Sequence, residues 1–259
     1  EPGSVFKSII MSIGIDDGDV SPSTYINDPG VYKVDKYKIH DVSAKCTGHV
    51  NMAEILAESC NTGMAHVTAK IGRSLLQSYL IKYGFGQRTE IEFDNESAGK
   101  INKGYMAASE LATAAFGQGL TVTPIQIVMA YSALANNGIL MQPHIVSSIA
   151  TPDGKVTKTE PSVLGQVIKP KTAKTLTEMM VGDIENGVAR GARLDKYYIA
   201  GKTGTSQTYK YGKPLTGIGT TIATIAGFGP VEDPKFVVFV RLDHPHTSEW
   251  AETTAEPLF

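Results

Sequence analysis

Two apolar, β-branched runs near the end of the chain, at 221–228 and 235–242, constrain the fold more than any other feature. They are joined by Gly229-Pro-Val-Glu-Asp-Pro. So short a connection cannot carry a crossover helix, so the two strands pair antiparallel. A further strand is predicted at 197–200, running into Gly201-Lys-Thr-Gly-Thr. Upstream the patterns are helical. A short apolar helix spans 4–13, Asn51 caps a second, and others run over 62–71, 73–83 and within 104–118. The clearest begins at Thr123-Pro124, with the threonine as cap and the proline in the first turn, and stops at Gly138. A last helix covers 169–185. Residues 16–45, rich in Asp, Gly, Pro and Tyr, read as loop with short hairpin strands. The layout is an α+β fold: one domain over 1–259, with a helix-rich lobe at roughly 8–190 and a sheet-forming part at roughly 191–259.

Composition removes several classes of function. A net charge of -2 over 259 residues argues against a nucleic-acid binder. Hydrophobic residues, at 42%, suffice for a core. No run approaches the roughly 20 apolar residues of a membrane span, and no signal peptide opens the sequence. Cys46 and Cys60 are too few for a disulfide framework and read as unpaired thiols. His244 and His246 flank a proline and lack zinc-ligand spacing, so they read as a surface turn.

Three short motifs carry chemistry. In Ser4-Val-Phe-Lys7 the spacing puts both side chains on one helix face. A lysine whose pKa is lowered by burial can take the proton that makes serine nucleophilic. In Ser59-Cys60-Asn61, on a loop after a helix, the serine can relay a proton and the asparagine can donate to a carbonyl. In Lys202-Thr203-Gly204-Thr205, after a strand, lysine and hydroxyls can hold a carboxylate, and Gly204 lets another backbone come close. Alone, each is common: a helix start, a helix-terminating turn, a strand ending in a glycine turn. Together and in this order they form the known signature of class A β-lactamases and penicillin-binding proteins.

Longer segments make the resemblance specific. Glu1-Pro-Gly-Ser-Val-Phe-Lys and Ala200-Gly-Lys-Thr-Gly-Thr-Ser-Gln resemble the active-site segments of class B penicillin-binding proteins. So do Ala114-Ala-Phe-Gly-Gln-Gly-Leu-Thr-Val-Thr-Pro-Ile-Gln and Gly227-Phe-Gly-Pro. The resemblance implies a β-lactamase/transpeptidase-like fold, an antiparallel sheet flanked by helices. It implies Ser4 as acylated nucleophile and Lys7 as its base. Ser59 would pass a proton to the leaving group, and Asn61 would orient the acyl chain. Lys202, Thr203 and Thr205 would bind the donor's carboxylate, with Gly204 allowing the close approach. The N–H groups of Ser4 and Thr205 would form the oxyanion hole. The reaction implied is cross-linking of peptidoglycan stem peptides, blocked by penicillin and other β-lactams, with no cofactor or metal. Implied partners are divisome proteins and a glycosyltransferase, at the extracytoplasmic face of the cell membrane.

Some features depart from the family. Cys60 stands where the signature has Asp, between the two working side chains, and is expected to be tolerated. Glu90 stands where glycine is usual, so a positive-φ turn there would be strained. The expected upstream strands and C-terminal helix lie outside 1–259, so a chain of these bounds is expected to be less stable than a longer one. Ser-x-Asn and the segment from Gly63 look closer to division and sporulation members than to elongation members. Rival readings are a β-lactamase, a D,D-carboxypeptidase and a non-catalytic β-lactam sensor. Against a class A β-lactamase, no Glu-x-x-Leu-Asn segment lies between the second and third motifs.

Overall fold

The computed structural model describes residues 1–259. The chain opens with a 3₁₀ turn, Gly3–Val5, that runs into α1, Phe6–Asp17. Four short strands follow: β1 (Tyr25–Asp28), β2 (Val31–Val34), β3 (Tyr37–His40) and β4 (Gly48–Asn51), with β1 pairing β4 and β2 pairing β3. Then come α2 (Met52–Ala57), α3 (Asn61–Ile71), α4 (Arg73–Lys82), α5 (Ala108–Ala114) and α6 (Pro124–Ala135). Strands β5 (Ile139–Met141), β6 (Ser148–Ala150), β7 (Val156–Lys158) and β8 (Val163–Gln166) precede α7, Pro170–Asn186. The main sheet is built from β9 (Ala200–Gln207), β12 (Thr221–Gly229) and β13 (Phe236–Asp243), with the small hairpin β10 (Tyr209–Lys210) and β11 (Lys213–Pro214) between the first two. Its order is β13-β12-β9, all antiparallel, with Ala223 opposite both Thr205 and Leu242.

The apolar pattern explains the layers. In α1, Phe6, Ile9, Ile10, Met11 and Ile13 are all buried, so this helix is apolar on every side and lies inside the helical lobe. Its start is fixed by the Tyr131 hydroxyl of α6, which donates to the Val5 carbonyl at 2.7 Å. Phe6 meets Phe85 edge to face, with ring centroids 5.1 Å apart. Helix α7 turns Leu176, Met179, Met180 and Ile184 inward, packing on β9 and α2. Strand β12 is buried along almost its whole length, as a central strand must be.

The α+β layout and the antiparallel pairing of the last two strands match the expectation. Helix α6 has the foreseen cap: the Gln126 N–H donates to the Thr123 hydroxyl at 3.3 Å, and the Gln126 side chain accepts from the Thr123 N–H at 2.9 Å. Four local expectations fail. The first α-helix begins at Phe6, because Gly3–Val5 is wound as 3₁₀. The Lys-Thr-Gly segment is not a turn after a strand; it is the strand β9 itself. The helix within 104–118 is only Ala108–Ala114. Cys46 and Cys60 are joined in a disulfide, because the 3₁₀ turn Ala44–Cys46 folds back on the start of α3 and brings the Cα atoms to 5.5 Å. Glu90 does adopt a positive φ of 60°. Its turn is held by the Glu96 carboxylate, which accepts from the N–H groups of Thr89 and Glu90 at 2.9 Å each.

One buried carboxylate ties the helical lobe together. Asp16, 6% exposed at the end of α1, accepts from the Tyr79 hydroxyl of α4, the Lys169 N–H and the Thr172 hydroxyl of α7, each at 2.7 Å. Burial pushes its pKa up, but those three donors and the Lys169 charge outweigh it, and the net shift is down. A carboxylate lowered on folding stabilises the fold above its unfolded pKa, and this contribution fades as pH falls through the folded value. Asp16→Ala is therefore expected to cost about 3 kcal/mol at neutral pH, since it strands buried donors. Urea titrations at pH 7 and pH 3 are the check: the gap between wild type and variant should narrow at the lower pH.

Candidate active site

The three motifs converge on one cleft of 1280 Å³, lined by Ser4, Ser59, Asn61, Thr203, Gly204 and Thr205 among others. Ser4 sits in the 3₁₀ turn at the head of α1. Two glycines let the backbone close around it. A Cβ on Gly204 would lie 2.9 Å from the Val5 nitrogen and 3.1 Å from the Ser4 nitrogen, so β9 can approach the Ser4 turn only with glycine there. Gly117, at a φ of 73°, lies against the backbone of Gly3, whose N–H donates to the Gly117 carbonyl at 3.3 Å. The Gly117-Gln-Gly segment thus acts as a brace behind Ser4.

Lys7, one turn further, is fully buried. Its Nζ donates to the Ser59 carbonyl at 2.6 Å and to Asn61 Oδ1 at 2.7 Å, and lies 3.1 Å from Ser59 Oγ. These three contacts all go to the second motif. Burial, and next the charge of Lys202, push the Lys7 pKa well below the ordinary lysine range; Asp41 and Asp183 offset part of this. This lowering favours the neutral amine, a form that can donate to the two carbonyl oxygens and keep a lone pair for a proton. That is the state a base requires.

The second motif is held by unusual local geometry. Ser59 has a φ of 58°, a left-handed conformation that costs a non-glycine residue about 1 kcal/mol or more. It persists because the flanking Cys60 N–H donates to Ile55 O at 2.9 Å and Cys60 is cross-linked to Cys46. Asn61 opens α3, where the Asp41 carboxylate accepts from the N–H groups of Asn61 and Thr62. A carboxylate at a helix N-terminus is favoured by the helix dipole. The Asn61 amide also donates to His40 O at 3.2 Å, so its oxygen faces Lys7.

The third motif differs from its expected use. Lys202 does not line the cleft. Its side chain is 0% exposed and pairs with Asp183 of α7, also 0% exposed, at 2.9 Å. Burial raises the Asp183 pKa even against the Lys202 charge. Asp183 Oδ1 also accepts from Ala189 N–H at 3.1 Å, pinning the loop after α7. Thr203 and Thr205 do line the cleft, and both touch the segment after β13. The Thr203 hydroxyl donates to Glu252 at 3.1 Å, and Ala251 N–H donates to the Thr205 hydroxyl at 3.1 Å.

Asp41, Asp183, Glu252 and the disulfide were not foreseen. Asp183 had a readable signal: it falls on the apolar stripe Leu176, Met179, Met180 and Ile184, where a carboxylate needs a partner. Asp41 and Glu252 had none, since each reaches its target from a loop far away in the chain. His244 lies at a turn, its Nδ1 3.0 Å from Gly219 O, and no group of three His, Cys, Asp or Glu side chains gathers as a metal site. No helix is long and apolar enough to cross a membrane.

Comparison with known proteins agrees with this geometry. The family model described as penicillin binding protein transpeptidase domain matches residues 1–259. Stage V sporulation protein D of Bacillus subtilis is 34% identical over 263 residues, covering 100% of this chain and 40% of that protein. Penicillin-binding protein PbpB of Mycolicibacterium smegmatis is 30% identical over 272 residues, covering 100% of this chain and 42% of that one. The chain thus spans well under half the length of these relatives. Penicillin binding protein 3 from Mycobacterium tuberculosis, solved in complex with aztreonam, superposes with a TM-score of 0.87 at 29% identity, over 95% of this chain and 56% of that chain.

Two outcomes follow for the site's scaffold. Asp183→Asn leaves Lys202 charged and alone in the interior, an expected loss of about 3–5 kcal/mol in denaturant melts. Cys46→Ser opens the 14-residue loop closed by the disulfide and is expected to cost about 3 kcal/mol, a loss that a reductant reproduces in the wild type but not in the variant.

Proposed function

Because the chain belongs to the penicillin-binding protein transpeptidase domain family, we propose that it is the catalytic domain of a class B peptidoglycan D,D-transpeptidase acylated on Ser4. The observation that carries this reading is the buried Lys7 amine. Its pKa is lowered, it is bonded to Ser59 and Asn61, and it lies one helical turn from Ser4, which lines the cleft together with Thr203, Gly204 and Thr205.

The chemistry runs in two halves. Neutral Lys7 takes the Ser4 proton as Oγ attacks the carbonyl carbon of a stem peptide's D-Ala-D-Ala amide. The developing oxyanion is stabilised by the N–H groups of Ser4 and Thr205, at the head of α1 where the dipole is positive. Collapse breaks the C–N bond, and the proton held on Lys7 passes through the Ser59 hydroxyl, 3.1 Å away, to the departing D-Ala nitrogen. An acceptor amine from a second stem then attacks the ester, gives its proton back along Ser59 and Lys7, and frees Ser4. Asn61 holds Lys7 through its oxygen and orients the acyl chain. Thr203 and Thr205 face the donor's carboxylate, while Lys202 adds its field from behind the strand. A β-lactam enters the first half and, its leaving group tethered, stays on Ser4. The structural neighbours include penicillin binding protein 3 complexed with aztreonam and with ampicillin. A peptidoglycan substrate supports a place of action at the extracytoplasmic face of the membrane. A relative named for sporulation supports the sporulation side of a division or sporulation role, with divisome proteins and a glycosyltransferase as the proposed partners.

The test is intact-mass spectrometry after incubation with penicillin. A single stable adduct is expected on the wild type and none on Ser4→Ala; drug hydrolysed with no lasting adduct would instead indicate a β-lactamase. Lys7→Met should slow acylation by about 10²–10⁴-fold, the usual contribution of a general base. Because the Lys7 pKa is lowered, its base form is present at lower pH than for a free lysine. The acylation rate should rise with pH and level off well below the lysine range; a rise continuing to about pH 10 would remove Lys7 from the role.

A further inference from the structure

The third motif is already engaged by an anion. Thr203 is 2% exposed and spends its hydroxyl proton on a carboxylate oxygen of Glu252 at 3.1 Å. Ala251, fully buried, donates to the Thr205 hydroxyl, and the Thr221 hydroxyl donates to the Glu249 carbonyl at 2.8 Å. Residues 249–252 are therefore laid along β9 and β12, and Glu249, Trp250 and Glu252 line the same cleft as Ser4. The motif's own cation, Lys202, is paired with Asp183 in the interior. A ligand carboxylate arriving at Thr203 meets another carboxylate on the hydroxyl it needs.

We propose that Glu252 occupies the donor-carboxylate subsite of the cleft and governs which ligands enter it, so that a carboxylate-bearing donor or β-lactam must displace it from Thr203 before Ser4 can be acylated. This rests on the transpeptidase reading above. Glu252 acts on binding, not on the acyl-transfer chemistry. Like charges brought together at a binding surface repel, so its removal favours the anionic ligand selectively. A merely structural role for residues 249–252 would affect charged and uncharged ligands alike.

The experiment is acylation kinetics on the intact protein, comparing wild type, Glu252→Gln and Glu252→Ala with benzylpenicillin and with its methyl ester, in which the carboxylate is capped. With benzylpenicillin, both variants are expected to raise the second-order acylation rate by about tenfold or more. The gain should lie in the pre-acylation binding constant, with the limiting acylation rate unchanged. With the methyl ester, wild type and variants should react alike. Equal changes for both compounds, no change, or a change confined to the limiting rate would each overturn the proposal. If the alanine variant loses its fold by thermal melt, the glutamine variant decides, since its amide oxygen can still accept from Thr203 without the charge. An adduct on the wild type with no charge-selective gain removes only the role of Glu252. No adduct on Ser4 in any of the three proteins removes the transpeptidase reading with it.

Discussion

The burial of one amine organises this molecule. Lys7 lies inside the protein, where an isolated ammonium would be costly, and its polar contacts are all supplied by the second motif. Much of the architecture serves to make that burial possible. The 3₁₀ turn sets Lys7 on the inner face of α1, the Tyr131 bond fixes where α1 begins, and the left-handed Ser59 turns its own carbonyl toward the amine. The lowered pKa is a consequence of this packing, and the proposed base follows from the pKa. The proposed activation of Ser4 and the fold of the helical lobe thus rest on the same contacts.

A second buried lysine has the opposite solution. Lys202 keeps a carboxylate partner, Asp183, at 2.9 Å, whereas Lys7 has only neutral oxygens around it. Two ammonium groups in one interior repel, and the Lys202 charge helps to lower the Lys7 pKa. Pairing Lys202 with Asp183 holds its geometry and moderates that repulsion. Lys202 does not line the cleft, whereas Thr203 and Thr205 do. The acidic segment at 249–252 then sets the electrostatics of that end of the site.

Much of this was legible in the residues. Antiparallel pairing of β12 and β13 followed from their short connection, and α6 from its Thr-Pro start and Gly stop, because such signals are local and backbone-encoded. The motif residues Ser4, Ser59, Asn61, Thr203, Gly204 and Thr205 do meet in one cleft. The failures share a cause. Cys46 and Cys60 were read as unpaired because their approach depends on how the 44–46 turn folds onto α3. The burial of Lys202 against Asp183 was not foreseen because nothing in Lys-Thr-Gly indicates which side of the strand is covered by α7. Asp183 could have been marked, since it interrupts an apolar stripe, but its partner could not.

By itself, the sequence determined the order of helices and strands, the chemical types available at the site and the family to which they belong, because periodicity, caps and motif spacing act over a few residues. Only the tertiary structure decided which charges are buried and with whom they pair: Lys7 with Ser59 and Asn61, Lys202 with Asp183, Thr203 with Glu252. These partners lie on different elements, and desolvation depends on what covers a group in three dimensions. Protonation state and ligand access depend on that covering, which no local pattern specifies.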